Sequence, residues 1–308
     1  MPDNTEKKHT LTHDQNFKNL LLDYPHQSLE FFAAEEADEM TPDVRITPIR
    51  QEQLKDRLGD HFHELDTPLL TEWPDGKRKA LLFVVEEETR ASRFSIRRTA
   101  RYCLHLSEMF ETDRVVPAVI FLRPGGYPSS LTLGGDQKTY LFFRYIVCDL
   151  GRIPAEEHLE SSNIVARLNL PNMAFHPDEK IRIYAAAQEG LVSLEQDMNK
   201  RIKYSEFIDL YAGLDEADIT HYREEYLPKS PQKEEIMGLI EQGKKEGKKE
   251  GKREGEVLML RKLMTRRFGI VPVWADDHLK KAEEKELEIW IDRILDAGSV
   301  EDLFRQVS

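Results

Sequence analysis

Two runs of residues, HFHELDTPLLTEW (61–73) and KALLFVVEEET (79–89), flank the tripeptide Pro74-Asp75-Gly76. Such a tripeptide reverses the chain, so the runs predict antiparallel neighbours joined by a short connection. Facing residues in such a pair are numbered symmetrically about the turn. Midway between 66 and 86 lies Gly76, so Asp66 is expected opposite Glu86. Side chains alternate along a strand, so Glu88 shares the face of Glu86 while Glu87 points away. Three carboxylates then converge at the polar end of an apolar strand. Like charges at that distance repel, and in a low dielectric one of them takes up a proton unless a cation neutralises the set. A divalent ion removes the conflict, and oxygen donors without His or Cys suit Mg²⁺ or Mn²⁺. His61 and His63 fall on the opposite alternation and find no third ligand. The same acids read equally as a solvated strand end with Asp66 a surface residue beside the turn.

The surrounding pattern is α/β. Upstream, Thr12 is a candidate N-cap for a helix carrying Phe17, Leu20, Leu21 and Leu22 and ended by Pro25. A second apolar helical patch follows at 29–34, then a loop-rich stretch with Pro42 and Pro48, then a short helix over 51–58. Downstream, RASRFSIRRTARYCLHLSEMF returns to helical spacing, with Ile96, Ala100, Leu104 and Met109 or Phe110 on one side. VVPAVIFL (115–122) predicts a strand buried on both faces, and TYLFFRYIVCDL (139–150) one further strand. The expected fold is a mixed central sheet flanked by helices over about 12–155, followed by a helical extension over 156–235 with helices near 179–199 and 204–213.

Residues 243–256, GKKEGKKEGKREGE, repeat glycine every fourth position inside a connector spanning 236–256. A helix would line these glycines into a slowly winding smooth stripe that could pack closely against another helix, giving a homodimer. Each glycine costs about 1 kcal/mol relative to alanine, and the i,i+4 pairs are like-charged, so a solvated spacer is the favoured expectation. Beyond it, 257–308 predicts a small all-α module, with helices closed by Gly269 and Gly298 and a last one opened by Ser299 and Asp302.

Composition narrows the function classes. The formal net charge is −13, with 57 acidic and 44 basic residues, so any nucleic-acid surface must be local. Cys103 and Cys148 lie in apolar stretches without metal or redox spacing and are expected as buried thiols in a reducing, cytoplasmic setting. The N-terminal stretch lacks the apolar region of a signal peptide, and no window suits a membrane span. No P-loop, GxGxxG or nucleophile motif is present. Basic residues do cluster after the acids: Arg90, Arg93, Arg97 and Arg101 recur every three or four positions, as a rail along one helix side would. Such a rail suits a phosphate backbone, or pairs with surface acids. Asp14 and Lys18 stand one turn apart; the ion pair between them is the first reading, with Asp14 joining a metal shell or Lys18 touching phosphate as the other.

With these residues in place, the first 150 or so positions resemble the recombination-promoting nuclease and transposase family of the PD-(D/E)XK nuclease superfamily. The resemblance runs from HDQNFKNLL through Asp66, LLFVVEEET and RFSIRRTARY to VVPAVIFLRPG. It implies a restriction-endonuclease-like core that hydrolyses DNA phosphodiesters with Mg²⁺ or Mn²⁺. Asp66 matches the first acid of the pattern and Glu86 the second. Asp66, Glu86 and Glu88 would be catalytic, with Asp66, Glu86 and Asp14 around the metal and Lys18, Arg90, Arg93 and Arg97 on DNA. The position usually held by Lys, or in this family Gln, is Glu88. A carboxylate there could accept a proton or bind a second metal but not stabilise an anion. The alternative is an inactive nuclease-fold adaptor that binds DNA or protein partners and self-associates. The C-terminal region resembles a small domain of unknown function appended to such proteins.

Overall fold

The computed structural model describes residues 15–37, 40–49, 68–74, 78–83 and 94–305, with only the backbone described for 78–83. It is a mixed α/β structure dividing into two compact units, residues 1–236 and 237–308. No described helix is long and apolar enough to cross a membrane.

The first unit is built on a five-stranded sheet of order β1-β2-β3-β4-β7: Arg45–Pro48, Leu69–Glu72, Arg78–Phe83, Val115–Phe121 and Ile146–Asp149. Strand β2 runs antiparallel to both its neighbours, β1 and β3, whereas β3, β4 and β7 run parallel. A parallel neighbour needs a crossover, and helix α4 (Ile96–Phe110) lies on the chain between β3 and β4. Ser95 caps its N-terminus, and Ile96, Thr99, Ala100, Tyr102, Cys103 and Leu106 are its buried side. This side packs with Leu70, Val119 and Phe121 of the sheet. Leu104, expected on the buried stripe, is instead 56% exposed, because the inward side follows 96-99/100-103-106 and passes it by. Ala118 to Phe121 are all buried, so β4 is covered on both faces as its continuous apolar run requires.

Two strands were not legible in the pattern. β1 is a short edge strand ending in Pro48, a position where the missing N–H is tolerated, and this proline, with Pro42 just before the strand, imitates a loop. β5 (Ser130–Gly134) pairs with β6 (Thr139–Arg144) as a separate two-stranded sheet. The expected single strand over 139–150 is therefore two strands, β6 and β7, broken at Tyr145. Tyr145 is buried against Phe94 and donates its hydroxyl to the Pro128 carbonyl at 2.6 Å, which anchors the change of direction.

Helices α1 (15–23), α2 (Pro25–Phe32) and α3 (Ala34–Ala37) precede the sheet, and α5 (Ile164–Leu168), α6 (Lys180–Leu194), α7 (Met198–Ala212) and α8 (Glu216–His221) follow it. Helix α1 joins this extension: Phe17 packs on Phe207 and Tyr211 at 5.6 and 5.8 Å. At its end Asp23 accepts from Lys203 at 2.7 Å and Tyr204 at 2.8 Å. Burial works to raise the Asp23 carboxyl, but these hydrogen bonds and the lysine charges outweigh it and hold it below its ordinary value.

The second unit takes most of α9 (Lys233–Phe268), with α10 (Val273–Lys281), α11 (Glu284–Arg293) and α12 (Val300–Leu303). Leu260, Met264, Leu279, Leu287, Ile294 and Leu303 are fully buried in its core. Residues 243–256 are helical within α9, so the spacer expectation is corrected: continuity with the core-packed turns around Leu260 and Met264 offsets the weak local propensity. Methyl groups added at Gly247 or Gly251 would meet no atom within 4 Å. Gly247→Ala with Gly251→Ala should therefore raise stability to denaturant by about 1 kcal/mol per site. A fall would mean that another helix occupies the stripe.

Candidate functional site

The ladder between β2 and β3 pairs Leu69 with Leu81, Leu70 with Ala80, Thr71 with Lys79 and Glu72 with Arg78. Every pair is symmetric about Asp75. The expected axis through Gly76 is thus corrected: the five-residue connection 73–77 puts the middle of the turn tripeptide, not its last residue, on the axis. Facing partners shift by two positions, and a shift of two preserves which side of the sheet each residue occupies.

Asp66, Glu86, Glu88, Asp14, Arg90 and Arg93 lie outside the described residues. Lys18 is half-buried on α1 and forms no ion pair among the described residues. Arg97 and Arg101 are exposed, one turn apart on α4. That helix begins at Ile96 behind its Ser95 cap.

The described structure adds an acid that the sequence pattern hid. Asp149 ends β7 in register with Phe121 at the carboxyl end of β4, where open α/β sheets bind their ligands. Its side chain is only 5% exposed. Oδ2 accepts from the Tyr127 hydroxyl at 2.6 Å and pairs with Arg152 Nε at 3.1 Å. Oδ1 is buried and has no hydrogen-bond partner among the described residues. Tyr127 stacks on Phe121 at 3.8 Å, and Arg152 stays 63% exposed. Gly151 permits the close approach of this loop: a Cβ there would lie 2.4 Å from the Pro124 ring. In the sequence, Asp149 reads as the tail of an apolar run; the usable signal was a charge ending that run just before Gly151.

The other acidic group, Glu256, Glu284 and Glu288, does not suit a metal. Lys252 Nζ already sits among them, 2.5 Å from Glu284, 3.4 Å from Glu288 and 3.5 Å from Glu256. No family model matches the chain, and neither the curated proteins nor the solved structures contain a match.

Burial, the hydrogen bond to Asp149 and the charge of that carboxylate push the Tyr127 hydroxyl up to about 12. A raised phenol contributes stability below its ordinary value of 10.0 and loses it as pH rises through about 12. Tyr127→Phe should cost about 1 kcal/mol near neutral pH, and the difference from wild type should vanish above about pH 12. Urea denaturation across that range checks this; a pH-independent difference contradicts it.

Proposed function

We propose that the chain is a metal-dependent DNA endonuclease with a restriction-endonuclease-like core of the PD-(D/E)XK type, acting on phosphodiester bonds in recombination or transposition. The observation that carries this reading is the pairing of β3, antiparallel to β2 and parallel to β4 across helix α4. Continued beyond Leu69 and Phe83 in the same register, the β2–β3 ladder would bring Asp66 opposite Val84 and diagonal to Glu86 on one face. Diagonal neighbours lie roughly 7–8 Å apart, within reach of one bridging ion. The β3–β4–β7 register, if continued in the same way, would set Glu86 level with Phe121 and Asp149.

In this reading Asp66 and Glu86 hold the ion, with Asp14 as a further ligand. Bound there, Mg²⁺ or Mn²⁺ would supply a Lewis acid for the phosphodiester oxygens. Glu88 takes the proton of the attacking water as its oxygen bonds to phosphorus and the ester oxygen leaves, or it holds a second metal. Lys18, Arg90, Arg93 and Arg97 fix the DNA backbone. Arg152, oriented by Asp149 and Tyr127, adds a phosphate contact at the same end of the sheet; the orphaned Oδ1 of Asp149 fits a region that meets polar or ionic ligands.

Glu88 in place of Lys or Gln favours a second reading, an inactive adaptor that binds DNA or protein and dimerises through the glycine-striped helix. Plasmid cleavage separates the two. The nuclease nicks plasmid DNA with Mg²⁺ or Mn²⁺, and Asp66→Ala or Glu86→Ala lowers the rate at least a hundredfold, about 2.7 kcal/mol of transition-state stabilisation. Cleavage surviving both substitutions refutes the site. Absence of cleavage while DNA still binds supports the adaptor.

A further inference from the structure

Of the described aromatic residues in the first unit, only Tyr140 and Phe142 are exposed, at 80% and 58%. Both belong to β6, and strand alternation puts them on one face with Arg144. The residues opposite Phe142 and Arg144 are Thr132 and Ser130, too small to cover the rings. Leu131 and Phe143, on the other face, pack into the cluster under α4. The hairpin is thus anchored through one side while its aromatic side is left to solvent. Near its tip Gly134 leaves no room for a side chain, because a Cβ there would sit 2.4 Å from the Lys138 carbonyl oxygen.

Two large rings in water need a reason. The local charge indicates the occupant: residues 94–152 carry eight basic and five acidic side chains in a chain of net −13, whereas 155–232 carry eight basic and fifteen acidic. Arg144 lies 5.4 Å from the Phe142 ring centre, so a cation and a flat apolar face are presented together. Same-face neighbours along a strand are spaced roughly 6.8 Å apart, a ladder on which unpaired bases can stack while their phosphates meet the cation. Duplex DNA keeps its base faces inside the stack and offers nothing to these rings.

We propose that the outer face of the β5–β6 hairpin binds single-stranded nucleic acid, with unpaired bases stacked on Tyr140 and Phe142 and Arg144 on the backbone. This deepens the nuclease reading by naming its substrate class as unpaired strands. It is tested without metal, so that binding and cleavage can fail separately. Fluorescence anisotropy of a labelled oligothymidylate in EDTA should show binding that is weakened roughly tenfold per ring in Tyr140→Ala and Phe142→Ala. Tyr140→Phe and Phe142→Tyr should retain it. Arg144→Ala should lower the slope of log affinity against log salt by about 0.7. Far-UV dichroism of all variants should match wild type, because these side chains are outside the core. The proposal is overturned if wild type does not bind the oligomer, if the double alanine variant binds as tightly, if duplex binding falls equally, or if removing the rings instead dissociates a dimer in light scattering.

Discussion

The position of β3 between an antiparallel and a parallel neighbour constrains everything else in the first unit. Its pairing with β2 sets which residues face each other across the turn, and its pairing with β4 sets which strand ends are level. A slip of one residue in either ladder would turn every side chain of the strand to the other face. The apolar run of β4, buried from Ala118 to Phe121, resists such a slip because it must be covered on both sides. Helix α4 provides one cover and is also the crossover that a parallel partner demands. The end of the sheet where β4 and β7 finish, with Asp149, Tyr127 and Arg152, is positioned by the same pairings.

The first unit is also divided electrostatically. Its sheet-bearing portion from α4 to Arg152 has more basic than acidic residues, and the helical extension has nearly twice as many acids as bases. Helix α1 belongs structurally to the acidic part, through Phe17 on Phe207 and through Asp23 on Lys203 and Tyr204. Lys18 therefore stands on an element whose packing is dictated by the extension. A polyanion steered by the local field would meet the sheet portion, where Arg97, Arg101, Arg144 and Arg152 are exposed.

Much of the architecture was legible because burial imposes period and length. The continuous run at 115–122 reads as a doubly covered strand, and the helical spacing within 90–110 marks α4, although not its start at Ile96 or the exposure of Leu104. The errors have physical origins. Pro42 and Pro48 hid the edge strand β1, at whose end Pro48 is tolerated. Tyr145 broke a uniform β pattern because its contacts with Phe94 and Pro128 are tertiary and leave no local mark. The glycine repeat is helical through continuity with buried turns that local propensity does not weigh. In the β2–β3 ladder the expected turn axis differs from the observed one by a residue, because turn residues alone do not fix the length of a connection. Asp149 was missed since its partners, Tyr127 and Arg152, are brought to it by a loop closure at Gly151.

The proposed nuclease depends on carboxylates from two adjoining strands sharing one divalent ion. Electron paramagnetic resonance of Mn²⁺ added to the intact chain decides this, because free and bound ions give distinct signals whether or not DNA is cut. The proposed site requires at least one bound Mn²⁺ per chain, displaced by Mg²⁺ and lost in both Asp66→Asn and Glu86→Gln. Binding that is absent in the wild type, or unchanged when both acids are neutralised, would contradict it.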